Sequence, residues 1–254
     1  MSVNKTAFIT GGGTGIGRGI AVEFAKAGYD VAISYCGSAK GAEETIAEIE
    51  KTGQNAFAVK ADISKIGDIN TMFDEVMKRY PRLDVFVNNA GITEKADFLH
   101  TTPETFDRIC AVDYRGAFFC IQRAARIMAE KNICGSIILI SSNNASAHFA
   151  DVSVYASVKA AAEKMSRHAA IELAKYKIRV NAIAPGWTDT GAARLDKKEE
   201  TYYKIPLKKW ATVEEIGKIA VFLSSDASSS VTGTTILADN GACLVSDKRE
   251  RYGF

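Results

Sequence analysis

Little in these 254 residues points toward a metal, a disulfide framework, a polyanion or a membrane. Three histidines and five cysteines are scattered, and no Cys-x-x-C or Cys/His pair has metal-ligand spacing, so no metal is expected. An odd cysteine count in a chain of this length argues against a disulfide scaffold. Cys36, Cys110, Cys120, Cys134 and Cys243 read as free thiols of a reducing compartment, the sharper alternative being one catalytic thiol. Neither sign of charge dominates: 32 Lys and Arg stand against 30 Asp and Glu, a formal net charge of +2. That removes the electrostatic case for nucleic acid or an anionic membrane as a partner. The one concentrated run, Asp247-Lys248-Arg249-Glu250-Arg251, mixes signs and reads as a solvated tail. No apolar run approaches a membrane span, and no signal peptide precedes the first strand-like segment. The expectation is a soluble, cytoplasmic protein without internal repeats, low-complexity tracts or a long linker.

What is present is core-forming material in a regular order. With 47% hydrophobic residues, the chain can build one large α/β domain or two small ones. Expected strands are Thr6–Thr10, Val31–Tyr35, Ala56–Lys60, Leu83–Val87, Ser136–Ser141, Arg179–Ala184 and Thr235–Ala238. Expected helices cover Gly15–Ala27, Ala42–Lys51, Ile66–Arg79, Thr105–Lys131, Val152–Tyr176 and Val213–Leu223. Seven strands alternating with helices predict an α/β fold with right-handed crossovers. It is a single-domain, Rossmann-type, doubly wound parallel sheet with helices on both faces. One domain accounts for residues 1–254. The polar, irregular stretch Thr188–Trp210 reads as a substrate lid.

Chemistry-bearing residues cluster just after the strands. The first strand runs into Thr10-Gly-Gly-Gly-Thr-Gly-Ile-Gly17 and then a helix. Glycines there let a pyrophosphate approach backbone N–H groups at a helix N-terminus. Gly11, Thr14, Gly15, Ile16 and Gly17 are therefore candidate cofactor contacts. The second strand ends Ile33-Ser-Tyr-Cys-Gly-Ser-Ala-Lys40 and lacks the acid that would hold the ribose hydroxyls of NAD. That favours NADP(H) over NAD(H), with Ser34, Tyr35, Ser38 or Lys40 near the nucleotide. Asp62-Ile63 follows the third strand and suits either an adenine contact or a helix start. Asn88-Asn-Ala-Gly91 follows the fourth and suits a cofactor crevice or a plain turn.

Ser142 ends the fifth strand, where a hydroxyl beside a substrate carbonyl stabilises developing negative charge; a turn-forming role is the alternative. The sixth strand ends in Pro185-Gly-Trp-Thr-Asp-Thr190, a sharp turn whose backbone and hydroxyls suit a carboxamide. Trp187 lines a substrate pocket or packs under the lid. His148 is either a loop residue or a substrate neighbour. Tyr155 and Lys159 lie four apart, thirteen residues beyond Ser142. On a helix that spacing puts them on one face, about 5–6 Å apart. A lysine charge held close to the phenol there would lower it toward the range of a useful acid/base; a plain surface pair is the alternative.

In this order, the glycine turn, Asn-Asn-Ala-Gly, Ser142, Tyr155-x3-Lys159 and Pro185-Gly186 resemble the short-chain dehydrogenase/reductase family. The likeness runs from about residue 5 to about residue 245. It is similar to the bacterial group of 3-oxoacyl-carrier-protein reductases, glucose dehydrogenases and hydroxysteroid dehydrogenases. The resemblance implies an NAD(P)-dependent oxidoreductase that passes a hydride between a nicotinamide and a secondary alcohol or ketone. It makes Tyr155 the acid/base and a cofactor contact, Lys159 its activator and a ribose ligand, and Ser142 the orienting hydroxyl. Gly11, Gly15, Ile16, Gly17, Asp62, Ile63, Asn89, Pro185, Gly186, Thr188 and Thr190 become cofactor contacts. A homotetramer is implied as well.

The chain departs from the family at Asp113, where relatives carry an Asn whose backbone carbonyl helps hold a relay water. A carboxylate near Lys159 partly neutralises it, so activity with a more alkaline optimum is expected. A second reading follows: a dinucleotide-sensing protein with weak turnover. An epimerase or enoyl reductase is disfavoured by the glycine spacing and by the short Tyr–Lys separation. The substrate is a sugar, steroid or acyl type. It would be met by Thr93–His100, Asn143–Ser153 and Trp187–Ile205, which include Phe98, Phe149, Tyr202 and Tyr203.

Overall fold

The computed structural model describes residues 4–191, 201 and 204–244. Seven strands form one parallel sheet: β1 (Thr6–Ile9), β2 (Asp30–Tyr35), β3 (Ala56–Lys60), β4 (Val85–Asn88), β5 (Ser136–Ile140), β6 (Arg179–Pro185) and β9 (Thr235–Ala238). Their spatial order is β3-β2-β1-β4-β5-β6-β9, and every pairing is parallel. The expected α/β class and doubly wound sheet are what the structure contains.

Period-two alternation explains why the sheet is buried on both faces. Phe8 of β1, Phe86 of β4 and Leu139 of β5 point to one core with Phe73. Their neighbours Ile9, Val87 and Ile138 point to the other, with Ile20, Phe24 and Ile216. Helices α3 (Ile66–Arg79), α5 (Ala117–Glu130) and α6 (Ser153–Leu173) supply the first core. Helices α1 (Gly15–Lys26), α2 (Ala39–Glu50) and α7 (Val213–Ser224) supply the second. Phe8, Phe73 and Phe86 meet with ring centroids 5.0–5.6 Å apart. Burying a side chain of this size contributes about 1.5–3 kcal/mol.

Helix α7 begins with a capping box: Thr212 Oγ1 accepts from Glu215 N–H, and the Glu215 carboxylate accepts from Thr212 N–H. The sheet order reverses between β1 and β4, which opens a crevice above their carboxyl ends. Among the described residues no helix is long and apolar enough to cross a membrane.

Two expectations need correction. The single helix expected over Thr105–Lys131 is instead α4 (Pro103–Ile109), a π-helical segment (Cys110–Gly116) and α5. Gly116 abuts β3's outgoing loop so closely that a Cβ there would lie 2.6 Å from the Ile63 carbonyl oxygen. The widened turn keeps Asp113 buried beneath the crevice. The stretch expected to be irregular over Thr188–Trp210 starts with a short strand, β7 (Thr188–Asp189), paired in parallel with β8 (Ala211–Thr212). One short ladder of two residue pairs thus joins the ends of that segment. Residues 192–200 and 202–203 of the expected lid, with Tyr202 and Tyr203, lie outside the described residues, as does the tail from Ser246.

Candidate active site

The crevice between β1 and β4 has a volume of about 420 Å³. Gly11, Thr14, Gly15, Ile16 and Gly17 form one wall; Tyr35, Asp62, Ile63, Asn89 and Thr190 close the others. The turn needs its glycines. Gly11 and Gly15 have φ of 65° and 54°, and a Cβ on Gly17 would lie 2.2 Å from the Gly11 carbonyl oxygen. Thr14 caps α1 without a side-chain hydrogen bond, so first-turn N–H groups face the crevice unclaimed by a cap. Backbone donors at a helix N-terminus above a hollow of this size fit the pyrophosphate of a dinucleotide.

Several expected contacts act differently from a simple ligand set. Asn89 Nδ2 donates to the Thr10 and Gly11 carbonyls, at 2.9 and 3.2 Å, so its amide holds the glycine turn in shape. Asp62 Oδ1 accepts from the Ser64 N–H and hydroxyl at 3.0 and 2.7 Å. Burial opposes charge on Asp62, but those Ser64 bonds and Lys65 outweigh it and hold the carboxyl below its usual range. Pro185, Gly186 and Thr188 do not line this crevice. Pro185 ends β6 and the other two follow it; Gly186 N–H donates to Ala238 O and the Thr188 hydroxyl donates to Gly186 O. Thr190 reaches back over the glycine turn, its side chain 3.4 Å from where a Gly15 Cβ would sit. Trp187 packs edge-on against Phe149 at 5.6 Å, while His148 is exposed.

Tyr155 and Lys159 occupy the first two turns of α6. Tyr155 is half-buried; Lys159 is buried, with Nζ 5.5 Å from the Tyr155 ring centroid. The ammonium meets three elements. It belongs to α6, donates over 3.2 Å to the Ile140 carbonyl at the end of β5, and lies 3.1 Å from Asp113 Oδ2 of the π-helical segment. The Asp113 side chain is fully buried, and its Oδ1 accepts from Ile92 N–H at 2.8 Å. A carboxylate therefore sits against Lys159, one helical turn from Tyr155.

Ser142 is buried just past β5, and its Oγ accepts from both the N–H and Nδ2 of Asn144. One residue earlier, Ser141 donates over 2.7 Å to Glu163, one turn beyond Lys159 on α6. Glu163 also accepts from Arg167 and Thr235, tying the end of β5 to α6 and β9. Asn144 and Glu163 were not singled out from the sequence. Ser142-x-Asn144 is a local signal for a side-chain-to-backbone turn, whereas nothing local marks Glu163. Burial pushes the thiols of Cys110 and Cys120 up, away from thiolate, which sets those two aside as catalytic thiols. Among the described residues no cluster could hold a metal ion.

Comparison with known proteins agrees with this geometry. A family profile described as enoyl-(acyl carrier protein) reductase matches residues 11–243. The 3-oxoacyl-[acyl-carrier-protein] reductase of Staphylococcus aureus is 35% identical over 244 residues, covering 95% of this chain and 99% of that protein. The crystal structure of acetoin dehydrogenase from Salmonella typhimurium superposes with a TM-score of 0.91 at 30% identity, covering 97% and 99% of the two chains. A short-chain type dehydrogenase/reductase from Mycobacterium marinum gives 0.88 at 32% identity, covering 95% and 99%. With the glycine turn at the sheet's switch point, a serine after β5 and a Tyr-x3-Lys helix beside it, the chain belongs to the short-chain dehydrogenase/reductase family.

Proposed function

We propose that this chain uses Tyr155 as acid/base and Ser142 as orienting hydroxyl to interconvert a secondary alcohol and a ketone, with NADP(H) preferred over NAD(H). The protein is a nicotinamide-dependent oxidoreductase of alcohol and keto groups, like its relatives. The observation that carries the residue roles is Lys159: buried, one turn from Tyr155 and bonded to the strand end that leads into Ser142. The bound nicotinamide supplies the hydride in reduction and takes it in oxidation. In reduction Ser142 O–H holds the carbonyl oxygen and Tyr155 O–H protonates it; in oxidation Tyr155 removes that proton. The Lys159 ammonium stands one helical turn from Tyr155, and Asp113 lies against it at 3.1 Å.

The enoyl description of the matching profile does not change the reading. Tyr155 and Lys159 share one helical face a turn apart, whereas enoyl reductases separate the two more widely. The test is nicotinamide absorbance with a panel of β-ketoesters, acetoin, sugars and steroids. Absence of turnover with every member, alongside cofactor-dependent thermal stabilisation, refutes the catalytic reading. It would instead support the dinucleotide-sensing one, which the Asp113–Lys159 pair keeps in view.

Support for NADP comes from the end of β2. Tyr35 lines the crevice twenty residues beyond Gly15, where an acid would meet the ribose hydroxyls of NAD. No acid stands at the end of β2, so no carboxylate from that strand end repels a 2′-phosphate. Tyr35→Asp is expected to weaken NADPH binding about tenfold or more relative to NADH, a difference of about 1.4 kcal/mol. Fluorescence titration of both cofactors measures it; an unchanged ratio would place the 2′ position elsewhere.

A homotetramer and a cytoplasmic location complete the proposal. Phe118 of α5 and Ile171 of α6 are exposed, as is Tyr176 just beyond, and a hollow of about 310 Å³ separates the two helices. Apolar helix faces of this kind suit packing between copies. Light scattering at four chain masses is expected; a monomer would overturn it. Cysteines that form no disulfide suit a reducing compartment.

A further inference from the structure

Resting on the oxidoreductase reading above, we propose that Asn144 is a positioning residue that makes Ser142 a one-way hydrogen-bond donor toward the substrate oxygen. A serine hydroxyl has one O–H to give and two lone pairs to receive. Asn144 fills both receiving positions of Ser142: its backbone N–H donates over 3.2 Å and its Nδ2 over 3.0 Å. Ser142 is only 7% exposed, which limits competition by water. With its acceptor capacity used, the hydroxyl hydrogen points in a third direction. Among the described residues, neither of the bonds at Ser142 Oγ uses it as a donor.

The orientation of the Asn144 amide follows from its second neighbour. Nδ2 also lies 3.4 Å from Asn143 Oδ1. Turning the amide over would set its oxygen against that oxygen. The NH₂ end therefore belongs where both neighbours accept.

The chemical consequence concerns the reacting oxygen. A ketone oxygen only accepts, so it is matched by a hydroxyl that only donates. The negative charge that develops on it during reduction keeps the same bond, strengthened. Two donors on Oγ also polarise the O–H, because linked hydrogen bonds reinforce one another. An unconstrained serine rotates between giving and receiving; Asn144 removes the receiving state. An alcohol substrate must then direct its own proton to Tyr155, the group that abstracts it.

The test is Asn144→Asp, which keeps the shape and replaces a donor by an acceptor. The Ser142 O–H is then drawn to the new carboxylate and away from substrate. With ethyl acetoacetate and acetoin as probes and NADPH as cofactor, kcat is expected to fall about 100-fold, the scale of one lost oxyanion donor. The NADPH Kd from fluorescence stays unchanged. In a Ser142→Ala background the same change should cost less than about twofold, because the hydroxyl it acts through is gone. An Asn144→Asp kcat within about twofold of wild type overturns the proposal. Equal losses in both backgrounds also overturn it, since they mark a general loop defect. A wild-type chain inactive on the whole substrate panel strikes the oxidoreductase reading and this role with it. An active wild type with an unaffected Asn144→Asp strikes the positioning role alone.

Discussion

Replacing Tyr155 by Phe is expected to lower turnover roughly a thousandfold, within the span that a positioned acid/base supplies. The change removes one oxygen and keeps the ring that stands 5.5 Å from Lys159 Nζ, so the lysine and the start of α6 stay in place. Nothing in the glycine-lined crevice is touched, because Tyr155 is not among its walls. NADPH should therefore still raise the melting temperature of the variant as it does that of wild type. The pair of readouts separates chemistry from folding. Turnover within tenfold of wild type, roughly 1.4 kcal/mol, would remove Tyr155 from the role of proton donor.

The Asp113–Lys159 pair carries the second large effect, on stability. Asp113→Ala leaves the buried lysine cation with the Ile140 carbonyl alone and takes the acceptor from Ile92 N–H. Removing one partner of a buried ion pair costs about 3–5 kcal/mol. Urea unfolding should show that loss, and a stability within about 1 kcal/mol of wild type would mean that the two charges are not coupled in solution. Asp113→Asn is the gentler probe. It keeps an oxygen for Ile92 N–H and removes only the charge that opposes Lys159 at Tyr155. The pH profile of alcohol oxidation should then differ from that of wild type, because Asp113 lies 3.1 Å from Lys159 Nζ, which stands 5.5 Å from the Tyr155 ring centroid. An unmoved profile would confine Asp113 to a structural role.

Much of the fold was legible because its elements announce themselves locally. Alternation in β1, β4 and β5 and the glycine punctuation after β1 are properties of a few consecutive residues. The boundaries moved by a few residues, as for α2, which starts at Ala39 because the Ser38 hydroxyl accepts from Gly41 N–H. The π-helical segment was not legible. It ends at Gly116, which is pressed on Ile63, a contact between positions far apart in the chain. The roles of Asn89 and Asp62 were blurred for a similar reason. Each side chain reads as a ligand by type, yet its hydrogen bonds are largely spent on Thr10, Gly11 and Ser64.

By itself, then, the sequence determined the α/β class, the place of the glycine-lined crevice and the candidate set of Ser142, Tyr155 and Lys159. Spacing along a strand or helix dictates which residues share a face. Only the tertiary structure decided how those groups are held. It set Asp113 3.1 Å from Lys159, tied Ser141 to Glu163 and turned both donors of Asn144 onto Ser142. Those contacts depend on distance and direction across elements, and hydrogen bonds and buried charges are decided by fractions of an ångström that no one-dimensional pattern encodes.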